Sequence, residues 1–396
     1  MKTHIHCLEL FTKFLEGYIS GVEDYTARAL LSPEGVVVYE KPNLDNYVSY
    51  LKSMNLGPKK VWSVPADGET LFHSLDKSNK LDEVINESDT IVPFVSWENT
   101  NQFKEKWGFE DHQWKTQPPE VHMKLENKAH LRDLGKEEWF TEYSVCEDKE
   151  LAKAGKSMAQ KYDDILVRHP KKASGVGAQR VEDKSYFNSK EFDQFLEDFA
   201  DGNPFLVEEF YDKGQEFSVT WDIKKDGEPE LQYWTRQYID NCIHQGNLIS
   251  EPQEVFPWDA TETINDIKQA TRSIVEQFPH YGRIGFDLKV SSSGDWKILE
   301  CNCRYNGSSY PNFINQQVDS DRCVLMHNIH PDLETFQEVH QIFEQENLDY
   351  DPENQKGAFV ANPFCLPEKC ASVIVAEDPQ EAELMLEQVK DKTENR

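Results

Sequence analysis

The chain has 396 residues, enough for two or three domains, and 38% hydrophobic with 12% aromatic residues gives it the means to build packed cores rather than stay disordered. Its 42 basic and 72 acidic side chains leave a net charge of −30, which argues against nucleic acid and anionic membrane surfaces as partners. Eight cysteines at irregular spacing make no secreted disulfide framework, and no run approaches a membrane span; both point to a reduced, cytoplasmic protein.

The N-terminal "MKTHIHCLELFTKFLEGY" lacks the apolar centre of a signal peptide and predicts an amphipathic helix. After it, "GVVVYE", "KKVWSVPA" and "TIVPFVSW" predict short strands. "DNYVSYLKSMNLG", stopped by Gly57, and "ENTNQFKEKWGF" predict helices. Alternating strands and helices predict a parallel sheet, but no G-x-G-x-x-G follows the early strands. "TQPPE", residues 116 to 120, predicts a linker.

The middle third continues with a helix in "NKAHLRDLG", a helix in "EDKELAKAGKSMAQKY" and a strand in "DDILVRHP". The loop "KKASGVG" returns to a strand. Its small residues let backbone N–H groups approach phosphate closely, with Arg168 and Lys172 supplying charge; in isolation an ordinary turn explains it better. "SKEFDQFLEDFADG" predicts a helix, and "PFLVEEFYDKGQEFSVTWDI" predicts two strands around a turn. "TETINDIKQATRSIVEQF" predicts a long helix. "GAFVANPF" and "CASVIVAEDPQEAELMLEQVK" predict two strands and a closing helix.

"GRIGFDLKVSSSGDWKILECNCR", from residue 282, predicts a β-hairpin. A two-residue turn at Ser293-Gly294 sets Asp287 directly opposite Glu300, and period-two alternation adds Asn302 and Arg304 to the same face. Opposed carboxylates repel, so either the face is solvated or a divalent cation sits between them; two carboxylates and an amide oxygen suit Mg²⁺ with phosphate oxygens completing the shell.

Taken in order, these pieces resemble the ATP-grasp superfamily over roughly residues 121 to 315. The matching features are Lys128 in "NKAHLRDLG", Arg168 before the small-residue loop, "LVEEF" with Glu216 beyond it, and "ECNCR" closing the hairpin. The resemblance implies a mixed α/β and α+β chain: an ATP-grasp fold of two α+β subdomains gripping ATP, preceded by a Rossmann-like domain. It divides the chain at 1–120, 121–205 and 206–396. It further implies that Lys128, Arg168, Lys172, Ser174, Gly175 and Gly177 hold the ATP phosphates. Glu208 and Phe210 would offer backbone groups to adenine with Glu209 beside them, and Glu216 would bind ribose. Asp287, Glu300 and Asn302 would ligate Mg²⁺ or Mn²⁺, with Arg304 and Arg283 at the transferring phosphoryl group. The superfamily usually has Lys where Arg168 stands, and Arg can hold phosphate bidentately instead.

The activity this implies is a carboxylate–amine ligase working through an acylphosphate, on small carboxylate and amine substrates such as amino acids or peptides, and it is compatible with a homodimer. Residues 136 to 205 would close as a lid. Two alternatives stay open: an ATP-grasp kinase or ligase with a non-amine acceptor, and a non-catalytic nucleotide-binding protein. Arg236 and the His-bearing "NCIHQGN" are candidates for the acceptor side.

Overall fold

The structure, a computed structural model, describes residues 1–8, 22–96, 98–116, 118–172, 175–224, 226–256, 260–277 and 282–394. Strands β1 (Lys2–Ile5), β2 (Gly35–Tyr39), β3 (Lys60–Val64) and β4 (Thr90–Pro93) form a parallel sheet in the order β3-β2-β1-β4. The N-terminal residues are therefore a strand where a helix is expected; 9–21 of that stretch lie outside the described residues. The physical reason is double-sided burial. A strand inside a parallel sheet is covered on both faces and shows no polar face to read. Ile5 joins Val37, Trp62 and Phe72 on one side. His4 and His6 meet Tyr305 and Phe313 on the other, so these histidines occupy core positions.

Strands β5 (Tyr143–Cys146), β6 (Ile165–Arg168), β7 (Ala178–Val181) and β8 (Phe205–Glu209) form an antiparallel sheet in the order β5-β8-β6-β7. The helices Asp148–Met158 and Lys190–Phe199 lay Leu151, Phe192 and Phe195 against Ile165 and Val207 of this sheet. Ser189 caps the second helix by accepting from the Phe192 N–H. Strand β8 crosses the expected boundary at 205/206.

The third sheet is antiparallel throughout. Its strands are β9 (Gln215–Ile223), β10 (Pro229–Asp240), β11 (Ile243–Ile249), β12 (Gly282–Val290), β13 (Trp296–Asn302), β14 (Cys323–Ile329), β15 (Gly357–Ala361) and β16 (Cys370–Ala376), ordered β13-β12-β9-β10-β11-β14-β16-β15. The amphipathic helix Thr261–Val275 adds Ile267 and Ile274 to the core under this sheet. Edge strand β15 is covered rather than open: Tyr47 donates to the Val360 carbonyl at 3.0 Å, and the Val360 N–H donates to the Tyr50 hydroxyl at 3.2 Å. The N-terminal domain is thereby fixed to the large sheet through a shared apolar core. Among the described residues no helix is long and apolar enough to cross a membrane.

Candidate active site

The β12–β13 hairpin opposes Asp287 to Glu300, as expected, but by a different route. The turn is not two residues at Ser293-Gly294. Ser291 donates to the Asp295 carbonyl at 2.8 Å, Gly294 donates back to Ser291 at 3.0 Å, and Gly294 sits at φ +88. This is a three-residue loop with its glycine in the left-handed position. It pairs Val290 with Trp296 and Leu288 with Ile298. Continued unbroken, that register would set Asp287 opposite Leu299. A β-bulge between Leu288 and Asp287 leaves Leu299 unpaired and restores the pair. Asp287, Glu300 and Asn302 then share one face, while Ile298 and Cys301 enter the core.

Burial and the neighbouring Glu300 raise the Asp287 carboxyl well above the usual range. Burial also pushes Glu300 upward, but the Lys128 ammonium, 2.9 Å away, and Arg168 outweigh it and hold this carboxyl at about 2. Asn302 donates to Asp287 at 2.9 Å and Gln237 donates to its other oxygen at 3.2 Å. A hard divalent cation suits this donor set: it offsets the repulsion between the two carboxylates, and Asn302 needs only to turn its amide oxygen inward.

The lid side faces this pair with positive charge. Asn127 caps the helix Lys128–Leu134 and so aims Lys128 at Glu300; the same ammonium donates to the Lys172 carbonyl at 2.8 Å. Arg168, at the end of β6, pairs with buried Glu208 and donates to the Leu299 carbonyl at 3.1 Å. Arg132 completes the cluster, 2.7 Å from the other Glu208 oxygen and 3.2 Å from the Leu299 carbonyl. The bulged residue thus supplies the acceptor that two arginines share. Sequence reasoning missed Arg132; its place one helical turn after Lys128 was the available signal.

Gly175 has φ +80, and a Cβ there would lie 2.3 Å from the Cys242 carbonyl, so the loop is seated on the β10–β11 turn. Gly177 shapes the turn instead of lining the cleft: its φ is +67 and its carbonyl accepts from His169 at 2.8 Å. Ser174 lies outside the described residues.

At the hinge the structure departs from expectation. Glu208 lies in a strand flanked on both sides, and its carboxylate is spent on the arginines. The Phe210 N–H already donates to the Asp164 carbonyl at 3.1 Å. The backbone of Glu208 and the Phe210 N–H are therefore already engaged. Glu209, Phe210 and Glu216 do line the cleft; Glu216 lies opposite Lys289 in the ladder, with 3.3 Å between the charges.

Arg304 reaches the cleft and is held by Glu126, 3.1 Å from its Nε; Glu126, another residue missed from sequence, also accepts from the Cys303 N–H at 3.0 Å. Arg283 shares the face of Asp287 but not the cleft. It stacks 4.1 Å over the Tyr305 ring and donates to the Tyr233 hydroxyl at 2.7 Å, toward the N-terminal domain. His244 lines the cleft, whereas Arg236 points away, tied to Glu383 and Tyr238.

The cleft between the lid and the large sheet encloses about 760 Å³. Lys128, Arg168, Lys172, Gly175, Glu208, Glu209, Phe210, Glu216, Asp287, Glu300, Asn302 and Arg304 all line it. No family model matches the sequence, and no curated protein matches it. Solved structures do match. N5-carboxyaminoimidazole synthase from Aspergillus clavatus, in complex with ADP and 5-aminoimidazole ribonucleotide, aligns with a TM-score of 0.59 at 14% identity over 93% of this chain and 100% of its own. L-amino acid ligase from Bacillus licheniformis aligns at 0.54 and 12%, over 99% and 97%. The biotin carboxylase–β,γ-ATP complex from Campylobacter jejuni aligns at 0.59 and 12%, over 99% and 91%. At such identities the likeness is one of fold, and it spans the whole molecule: the chain has the ATP-grasp fold, preceded by a parallel α/β domain.

Proposed function

We propose that the protein is an ATP-dependent carboxylate–amine ligase that activates its acid as an acylphosphate and releases ADP and phosphate. The observation that carries this reading is the buried, opposed pair Asp287–Glu300, flanked by Asn302 and facing Lys128 across the cleft. A nucleotide-binding scaffold has no use for two carboxylates that repel. The synthase and the ligase among the similar folds support the reaction class.

ATP lies between the lid and the large sheet. Lys128, Lys172 and the loop at Gly175 hold its phosphates, together with Ser174. Arg168 steadies the lid through Glu208 and reaches the phosphates from there. Glu216 takes the ribose hydroxyls, and the Phe210 ring lies beside the base. Asp287, Glu300 and Asn302 would hold Mg²⁺, which when bound supplies positive charge to the phosphate oxygens.

A carboxylate oxygen of the acid attacks the γ-phosphorus and ADP departs. The amine then attacks the acyl carbon, the C–O bond breaks, and phosphate leaves with that oxygen. Arg304, fixed by Glu126, stabilises the charge that spreads over the transferring group. The chain needs no nucleophile of its own; positioning and charge do the chemistry. The lid, seated through Gly175 on the turn at Cys242, keeps water from the acylphosphate. Hydroxylamine with Mg-ATP and a pool of carboxylic acids tests this. A hydroxamate formed with ADP supports the reading. ADP or AMP formed with no hydroxamate, from any acid in the pool, rejects it.

A further inference from the structure

The N-terminal domain sends one arginine into the cleft. Arg28, from the short helix Thr26–Leu31, lines it alongside His244, Arg304, Asn306 and Gly307. Its guanidinium is 4.4 Å from the Tyr25 ring centroid and 5.4 Å from that of Tyr310. Stacking of this kind fixes the plane of the guanidinium and leaves its N–H edge open to an anion lying in that plane. The other arginines lining the cleft each hold a carboxylate: Arg168 holds Glu208, Arg180 holds Asp164, and Arg304 holds Glu126. Arg28 has no ion-pair or hydrogen-bond partner among the described residues, and its Nε is buried with none. In a chain with 72 acidic side chains, a cleft arginine with no carboxylate partner among the described residues is a candidate for holding a ligand.

A second donor stands nearby with its proton fixed. Thr235 donates to the Asn247 amide oxygen at 3.0 Å, so the Asn247 NH₂ faces His244 Nε2, 2.7 Å away. The His244 proton is then on Nδ1, which has no partner among the described residues. Burial and the positive charge of Arg28 keep this ring neutral, so it donates without adding charge. Gly307 makes room for it: a Cβ there would be 2.8 Å from the ring. This end of the cleft therefore offers donors and positive charge, which match a carboxylate.

Arg304 follows the carboxylate pair on the same chain segment and serves the reacting group. Arg28 comes instead from the N-terminal domain, and the Tyr310 hydroxyl feels both charges. We propose that Arg28, with the Nδ1–H of His244, recognises a carboxylate that is not the one activated, so that an organic substrate carries a free acid group besides the reacting one. This rests on reading the cleft as the ATP-grasp active site. Two sources share the chemistry: the second carboxylate of a dicarboxylic acyl donor, or the α-carboxylate of an amino acid acceptor.

The test is equilibrium binding to the full chain saturated with Mg-ADP. One arm uses the L-amino acids and their α-amides; the other uses linear dicarboxylates of three to six carbons and their monoamides. In the arm that holds the substrate class, an acid binds about 10- to 100-fold more tightly than its amide. Arg28→Gln abolishes that preference by weakening the acid alone, with amide and ADP affinities unchanged. Arg28→Lys, which keeps the charge and loses the fork, recovers part of it, and ADP binding reports that each variant is folded. Equal binding of acid and amide, or no acid bound in either arm, overturns the proposal. So does loss of ADP affinity in Arg28→Gln with the acid preference intact, which would assign Arg28 to the nucleotide. Hydroxamate formation is unaffected by which of these holds, so failure here is separable from failure of the ligase reading.

Discussion

Asp287 faces Glu300 across the β12–β13 ladder because Leu299 is left out of it. The same bulge turns the Leu299 carbonyl to Arg132 and Arg168, so one irregularity builds both the carboxylate pair and an anchor for the lid. Opposed acids repel and cost stability unless a cation sits between them. Replacing Asp287 alone by Asn, which keeps the Lys128–Glu300 ion pair, is expected to stabilise the metal-free protein by up to about 1 kcal/mol in urea unfolding. The same change is expected to lower Mg-dependent ATP turnover at least about 100-fold. Turnover equal to the wild type would sink the metal-site reading.

The opposition of Asp287 and Glu300 was legible in the sequence, although the reason for it was not. The expected two-residue turn and the observed three-residue loop with a bulge give the same pair. The bulge did leave a trace: Ile298 and Cys301 both enter the core three positions apart, where an unbroken strand requires two. Lys128, the loop glycines and Arg304 were legible as residue types in order. Their partners were not, because Glu208 reaches Arg132 across 76 positions and Glu126 reaches Arg304 across 178, and no local period encodes such distances. The N-terminal strand was misread because His4 and His6 look polar on paper yet pack among aromatic rings.

Glu208 neutralises two guanidiniums in a buried cluster at the cleft wall. Glu208→Gln leaves both without a counter-charge, and the expected loss of stability is about 3–5 kcal/mol by urea unfolding. A loss below about 1 kcal/mol would show that solvent or another acid serves the arginines.

Gly175 and Gly202 separate loop seating from backbone strain. Both have positive φ, +80 and +84, but a Cβ on Gly175 strikes the Cys242 carbonyl while one on Gly202 meets nothing within 4 Å. Gly175→Ala is expected to weaken ATP binding about tenfold, corresponding to about 1.4 kcal/mol; Gly202→Ala is expected to leave it unchanged. Equal effects in a titration with Mg-ATP would remove the loop from the nucleotide site.

Buried histidines are expected to make the fold sensitive to acid. Burial pushes His6 down to about 3 and His327 to about 4, whereas in an unfolded chain they sit near 6.5. Between about 6.5 and these values the unfolded chain binds protons that the native chain does not. Stability is therefore complete above about pH 6.5 and falls as the pH drops, at about 1.4 kcal/mol per pH unit for each histidine. Chemical denaturation at pH 7.5 and 5 measures the slope, and His6→Phe should flatten it. A profile level across this window would mean that the rings are protonated in place.

The most direct measurement follows oxygen. Carboxylic acids labelled with ¹⁸O are incubated with the protein, Mg-ATP and amines, and the released phosphate is examined by mass spectrometry. Attack of the carboxylate on the γ-phosphorus predicts ADP and one ¹⁸O atom in each phosphate formed with product. Unlabelled phosphate, or AMP with pyrophosphate, would contradict the acylphosphate route.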